Sequence, residues 1–468
     1  MVVTVGRYFH TQIYFPGDRA SIPIHNCHPG GPAMKKWLVV LLVLLALLIL
    51  LSPAIVGRMA ENNIEKNIEW AQSKGDGVSI RTESFERGWL ASEGRHRVLL
   101  DGGRFRAVAE EYMSATGNPE LPSLLIDTHL DHGPLPASSM SPGLATAVST
   151  FSVDPGNGAT VAVPGALTSN VALNGSSQSH LLLEPGSVED EAVTFEWTGA
   201  DMVFESNPTS GDLTAAGDIK AMKLAVNGTT ADFNGMAVNL DQVQSKYGFS
   251  TGTLDARVGS ITIDDDGSVF SIAGMTMSAS SAIEDERLGG QTVFELDTMT
   301  IPEIGAVDFT ADVTFERLDA ASFAVISDAF QAAQNAADPQ AALAGLYPEI
   351  QQEVETLFAK GFAVRMEKVD VMLPQGLVSL QMNVDVPESA DGASFSWPGV
   401  MLSSTANIDV RIPVTIYELA STMNNQVGAL IAMGILVPDG DDFVMAAKYA
   451  QGLINVNGVP MPIPIPGM

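Results

Sequence analysis

From about Val78 to Leu318 the chain alternates apolar and polar residues with a period of two. The pattern shows in runs such as Val78-Ser79-Ile80, Val98-Leu99-Leu100, Leu124 to Leu130 and Val193-Thr194-Phe195-Glu196-Trp197. Successive side chains of a strand point to opposite faces, so this pattern specifies strands with one buried face rather than helices. Gly, Asn and Asp turns separate the runs, which predicts antiparallel strands joined as a meander. Three hairpin-like units recur, with strands starting near Leu224, Ile261 and Met299, each before a turn and a second alternating strand. One hairpin per unit would build a long sheet, although turn spacing in any large antiparallel sheet can produce the same look.

Helical spacing interrupts this pattern between residues 318 and 360, where Phe323, Ile326, Ala329 and Phe330 lie three and four apart. Two helices are expected here, broken at Asp338-Pro339, the second with Ile350, Val354, Leu357 and Phe358 on one face. Strands resume at Phe362 to Arg365 and Leu377 to Val386. A C-terminal amphipathic helix is expected from Ile416 to Met433, its stripe comprising Ile416, Leu419, Ala420, Met423, Val427, Leu430 and Ile431. Packing against the sheet is the plainer use of such a stripe, and covering a partner or a lipid is the other. The alternate prolines of Val459 to Pro466 allow only an extended tail.

A different signal precedes the strands. Trp37 to Gly57 holds 21 residues without a charge, nine of them Leu, between Lys35-Lys36 and Arg58. As a helix this segment is about 31 Å long, the thickness of a bilayer's hydrocarbon core. A retained anchor is favoured over a cleaved signal peptide, because the apolar run is long and Pro53 is poorly placed for cleavage between small residues. Residues 1 to 58 carry five basic side chains against one acid, and the remainder 19 against 54. The basic end therefore stays in the cytoplasm and the acidic bulk crosses, which for a bacterial chain means an inner-membrane, single-pass protein with a periplasmic body. The total charge of −31 excludes nucleic acid as a partner. The single cysteine, Cys27, precedes the anchor, so no disulfide framework is expected outside the cytoplasm.

The expected organisation is mainly β (α+β). Residues 1–33 form a disordered or mis-called extension, 34–58 the transmembrane anchor, and 59–75 a helical stalk carrying Ile64, Ile68 and Ala71 at helical spacing. The antiparallel β region covers 76–317, the helical insertion 318–360, and the C-terminal strand-helix-strand part of the same domain 361–468. Several stretches together resemble the YdgA-like family of bacterial envelope proteins. They are Ser84-Phe85-Glu86-Arg87-Gly88-Trp89-Leu90-Ala91-Ser92, Thr128-His129-Leu130-Asp131-His132-Gly133-Pro134-Leu135, Leu373-Pro374-Gln375-Gly376, Gly434-Ile435-Leu436 and Gly452 to Gly458. They are dispersed in order from Met34 to about Pro460. The resemblance implies an inner-membrane-anchored, β-rich periplasmic protein and assigns no activity.

Chemistry is weakly advertised. His129, Asp131 and His132 suggest a metal, but in a strand residues 129 and 132 point to opposite faces and no third ligand has a characteristic spacing. His132-Gly133-Pro134 reads better as a strand-closing turn, and Arg87-Gly88-Trp89 as a corner with Trp89 packed inward rather than as a grip for an anion. Asp264-Asp265-Asp266-Gly267 and Asp439-Gly440-Asp441-Asp442 read as solvated turns, since neither fits a twelve-residue calcium loop. Asn457 and Gly458 join these motif residues in a structural role. No nucleophile elbow, phosphate loop, dinucleotide fingerprint or His-Glu-x-x-His occurs, so no catalytic residue, metal or cofactor is expected. The expectation is a non-enzymatic envelope protein binding lipid or another apolar ligand on its sheet. The alternative is a scaffold whose acidic surface docks a protein partner. An apolar sheet face free of filling side chains would favour the first, and a solidly packed one the second.

Overall fold

The fold was determined as a computed structural model, which describes residues 79–462 except 88–90, 100, 102–119, 122, 133–144, 155, 173, 191–192, 227–228, 266, 303, 335–338, 390–394 and 424. The expected anchor, the stalk and residues 1–33 lie outside the described residues. Among the described residues no helix is long and apolar enough to cross a membrane. Strands dominate, and every pairing among the described strands named below is antiparallel.

The first ten strands are β1 (Ser79–Arg87), β2 (Ala91–Leu99), β3 (Ser123–His132), β4 (Ala145–Asp154), β5 (Val161–Val171), β6 (Ser177–Leu183), β7 (Gly186–Asp190), β8 (Val193–Trp197), β9 (Ala200–Asn207) and β10 (Asp212–Val226). Then come β11 (Thr229–Gln244), β12 (Ser250–Asp265), β13 (Ser268–Glu284), β14 (Arg287–Ile301) and β15 (Gly305–Asp319). The three turns expected from the recurring units fall between β10 and β11, β12 and β13, and β14 and β15. The chain divides into two compact units. The N-terminal one holds described residues 79–241 and 256–271, and the C-terminal one 242–255 and 272–462.

In the N-terminal unit β1 to β6 pair in sequence, β6 continues onto β9, and β9 onto β10. β8 pairs the same strand β10 farther along, and β7 pairs β8. Thr198 and Gly199 join β8 to β9, and the Thr198 hydroxyl and amide bond the Ala221 backbone to keep the ladder closed. At the parallel break between β6 and β7, Trp197 Nε1 donates to the Glu184 carbonyl at 2.8 Å. A Cβ at Gly186 would lie 2.3 Å from the Trp197 ring, so a side chain there is excluded by the aromatic it faces. The inward positions form one core in which Val98, Leu124, Phe151, Leu167, Leu181 and Met202 are 1–5% exposed. Hydroxyl pairs share this face: Thr128 with Ser149, Ser169 with Ser179 and Ser177 with Ser206 bond across strands at 2.7–2.8 Å. Each buried hydroxyl thereby keeps a partner that water would otherwise supply.

In the C-terminal unit, β15 leads into α1 (Ala320–Gln334), α2 (Pro339–Gly345) and α3 (Tyr347–Lys360). Then follow β16 (Phe362–Leu373), β17 (Gly376–Val386), α4 (Trp397–Ser403), β18 (Thr405–Pro413), α5 (Val414–Met423), α6 (Asn425–Ala432), β19 (Val437–Asp439), β20 (Asp442–Ala450), β21 (Leu453–Val456) and β22 (Val459–Pro462). Three differences from the sequence reading stand out. The insertion holds three helices rather than two, because Pro348 opens a separate helix just after α2. The single helix expected from Ile416 to Met433 is two, α5 and α6, and the sequence at their junction is Asn424-Asn425, a residue type of low helix propensity. Helix α4 was not expected; its signal is Ser396 before Trp397-Pro398, with Ser396 Oγ accepting the Gly399 amide at 3.2 Å.

Candidate functional site

The sheet of the C-terminal unit runs β14-β15-β16-β17-β18-β20, with β19 and β21 also paired to β20 and β22 paired to β21. Register places Phe294, Ala311, Val369, Leu380, Val410 and Met445 in one row across the six strands. The neighbouring row holds Val313, Met366, Met382, Ile408 and Ala447. Val307, Phe309, Val371 and Val378 extend the same face toward one end, and Phe315, Val364 and Val384 toward the other. The opposite face carries Thr310, Asp312, Thr314, Arg365, Asp370, Ser379, Gln381, Asn383 and Asp409.

Helices cover the ends of the apolar face. Phe323 of α1 and Leu357 of α3 pack with Leu288, Phe315 and Val364. Tyr417 of α5, with Val427, Leu430 and Ile431 of α6, packs on Ile412, Phe443 and Met445. In the middle, Val313, Met366, Val369, Leu380, Met382, Ile408 and Val410 are half-buried, whereas Gln381, Asn383 and Asp409 on the polar face are exposed. The apolar face is thus partly covered, less open than the polar face but not closed as a core is. The N-terminal unit answers the same question differently, since its inward face is closed by its own side chains. A contiguous apolar surface left partly accessible on a folded chain is a candidate for interaction.

Most cations of this unit are held by carboxylates. Lys246 contacts Glu286, Arg287 contacts Glu388, Arg317 contacts Asp385, and Lys360 contacts Asp319. Arg365 contacts Glu316, Lys368 contacts Asp370, and Arg411 grips both Asp439 and Asp442 at 3.0 and 2.7 Å. Arg287 also donates to the Lys360 carbonyl at 2.8 Å, clamping the end of α3. Burial would raise the Asp319 carboxyl, but Lys360 and the Ser322 amide and hydroxyl hold it below the ordinary range. The same residue caps α1 through the Ser322 amide at 3.0 Å.

A second feature is a cleft of about 520 Å³ in the N-terminal unit, where β4, β6 and β10 begin and β5 and β9 end. Its polar lining includes Thr146, Asn170, Gln178, Glu205, Asn207 and Asp212. Much of that polarity is spent internally: Thr146 donates to Asn170 at 3.0 Å, Gln178 to Glu205 at 2.8 Å and Ser210 to Asp212 at 2.6 Å.

Of the motif residues, Arg87 ends β1 and His132 ends β3 opposite Ala145, while Gly88, Trp89, Gly133 and Pro134 lie outside the described residues. His129 lies 3.6 Å from Glu93 on the neighbouring strand and 3.4 Å from Asp131 two residues along its own strand, an exposed contact. Asp264 Oδ1 accepts the Gly267 amide at 2.9 Å and Asp265 accepts the Thr229 hydroxyl at 2.8 Å, so these carboxylates hold a turn. Asp439 and Asp442 hold Arg411, as above. Asn457 is a junction. Its Nδ2 donates to the Gly434 and Ile435 carbonyls at 3.0 Å, its Oδ1 accepts the Ala446 amide at 2.8 Å, and its φ is 51°. Asn is among the few residues that enter that left-handed region readily, and Gly458 follows at φ 88° with its amide on Asn455. The distant Gly434-Ile435-Leu436 and Asn455 to Gly458 motifs are therefore one contact. The half-exposed apolar rows were missed in sequence as a site because each strand there looks like an ordinary core strand.

The chain matches, over residues 34–464, the family described as "Bacterial protein of unknown function (DUF945)". It belongs to the DUF945 family. No curated protein and no solved structure matches it. The DUF945 match spans both units, so the open apolar sheet and the closed core belong to one family region.

Proposed function

We propose that this DUF945 chain is a non-enzymatic, YdgA-like protein of the bacterial inner membrane, anchored once through residues 37–57 with its N-terminus cytoplasmic and its body periplasmic. Its role is to bind lipid or another apolar ligand on the open sheet face of the C-terminal unit. The observation that supports this reading is the half-burial of Val369, Leu380, Met382 and Val410, neighbouring apolar side chains that the chain's own helices leave partly accessible. Burying such side chains is worth roughly 1.5–3 kcal/mol each, so a ligand that covers several gains substantial binding energy. The uncharged run and the charge asymmetry on either side of it support the anchor and its direction.

The test is to secrete residues 59–468 (Met59 through Met468), purify them without detergent, and combine native mass spectrometry with lipid extraction. Retained stoichiometric lipid is expected, together with its loss in Leu380→Asp and Met382→Asp. A clean apo mass of the unaltered fragment would overturn the reading in favour of the acidic scaffold, whose partner crosslinking would then seek.

A further inference from the structure

The cleft of the N-terminal unit has a chemistry of its own. Register places Thr146, Asn170, Gln178, Glu205 and Thr214 in one row across β4, β5, β6, β9 and β10. All five line the cleft, and their sequence neighbours Ala147, Ser169, Ser179, Phe204 and Ala215 are buried. Successive side chains of a strand point to opposite faces, so the cleft lies on the outer face of this sheet. The row covers four strand spacings, about 19 Å at roughly 4.8 Å each. Its volume of about 520 Å³ falls among sites for small ligands, roughly 300–1,000 Å³.

The charge in the cleft is negative. Gln178 Nε2 donates to one oxygen of Glu205 at 2.8 Å, and the Ser210 hydroxyl to Asp212 Oδ2 at 2.6 Å. Asp212 Oδ1 is buried without a hydrogen-bond partner. Glu205 lies opposite Thr214, two residues along β10 from Asp212, which makes the two acids diagonal neighbours about 7–8 Å apart. No Lys, Arg or His is among the described lining residues, and His180, two residues along β6 from Gln178, is held by Asp201 at 2.7 Å. A buried carboxylate oxygen without a partner is costly, and a cation in the cleft offsets that cost through space. Among the described residues no three His, Cys, Asp or Glu side chains come together, so a divalent ion would lack the several oxygen ligands it takes. An ammonium needs fewer, since each of its N–H groups is met by a single acceptor. The hydroxyl of Thr214 and the amides of Asn170 and Asn207 suit hydroxyl groups beside it. We propose that this cleft binds a hydroxylated organic ammonium, of the size and chemistry of an amino sugar, with Glu205 and Asp212 supplying the countercharge. The site is separate from the apolar sheet face of the C-terminal unit and stands or falls independently of it.

The test titrates the full chain in mild detergent, by calorimetry at slightly acidic pH, with glucosamine and with glucose, which carries a hydroxyl where glucosamine carries the ammonium. Saturable glucosamine binding is expected, at least about ten-fold tighter than glucose, as a charge-assisted contact gives. Glu205→Gln and Asp212→Asn should each weaken it about five-fold or more while leaving glucose unchanged. Equal binding of the two sugars would overturn the ammonium assignment, and glucosamine binding unaffected by both variants would overturn the site. Absence of saturable glucosamine binding would overturn the proposal altogether. Should Asp212→Asn fail to fold, the exposed Glu205 gives the same comparison through Glu205→Gln alone.

Discussion

Asn457 shows how one side chain can join parts of the chain that sequence leaves far apart. Its carboxamide makes three backbone bonds to Gly434, Ile435 and Ala446 from a left-handed residue. Asn457→Ala should lose about 2–3 kcal/mol of stability in chemical denaturation, since three bonds disappear and the backbone conformation becomes strained. Asn457→Gly keeps the conformation, so if it is equally destabilised the bonds dominate. Asp319 has a pH signature. Its carboxyl titrates lower folded than unfolded, so its contribution is fully present above the ordinary value of 3.8 and is lost as pH falls through the lower folded value. Asp319→Asn should flatten the acid limb of a stability-versus-pH curve and cost about 1–2 kcal/mol at neutral pH through the weakened α1 cap and lost ion pair. An unchanged acid limb would show that other carboxylates control it.

Among the elements, the broken strand pairs β6-β7 and β8-β9 depend on fitting Trp197 over a residue without a Cβ. Gly186→Ala should cost about 1–3 kcal/mol, as overpacking does, and loosen amide protection in β7 and β8 before the rest of the unit. Trp197→Phe should relieve part of that clash while losing the bond to the Glu184 carbonyl, so the double variant should fall short of the sum of the two single effects. Additive losses measured by denaturation would mean that the ring and residue 186 do not meet. The helices make a related point. The insertion was legible as helical from its three-four spacing, but the breaks before α3 and between α5 and α6 depended on single Pro and Asn positions that the apolar stripe ran across.

For the whole molecule, the two units use the same period-two pattern to opposite ends. Leu181, 1% exposed in the closed core of the N-terminal unit, should cost about 3–5 kcal/mol on truncation to Ala. Leu380, half-buried on the open face, should cost about 1 kcal/mol or less and instead weaken lipid retention. Equal destabilisation by the two substitutions would mean that the face around Leu380 is covered in solution.

Sequence alone determined that the chain is built of antiparallel strands with one apolar face each, because alternation is a local property written residue by residue. It also determined the helical insertion and the net acidity, which local spacing and composition suffice to show. Tertiary structure decided how fully each apolar face is covered, because a strand's alternation is identical whatever lies above it. It likewise decided that Arg411, Lys360 and Arg365 are spent on carboxylates and that two remote motifs meet at Asn457. Such pairings depend on strand register and chain return, which no single stretch of sequence carries.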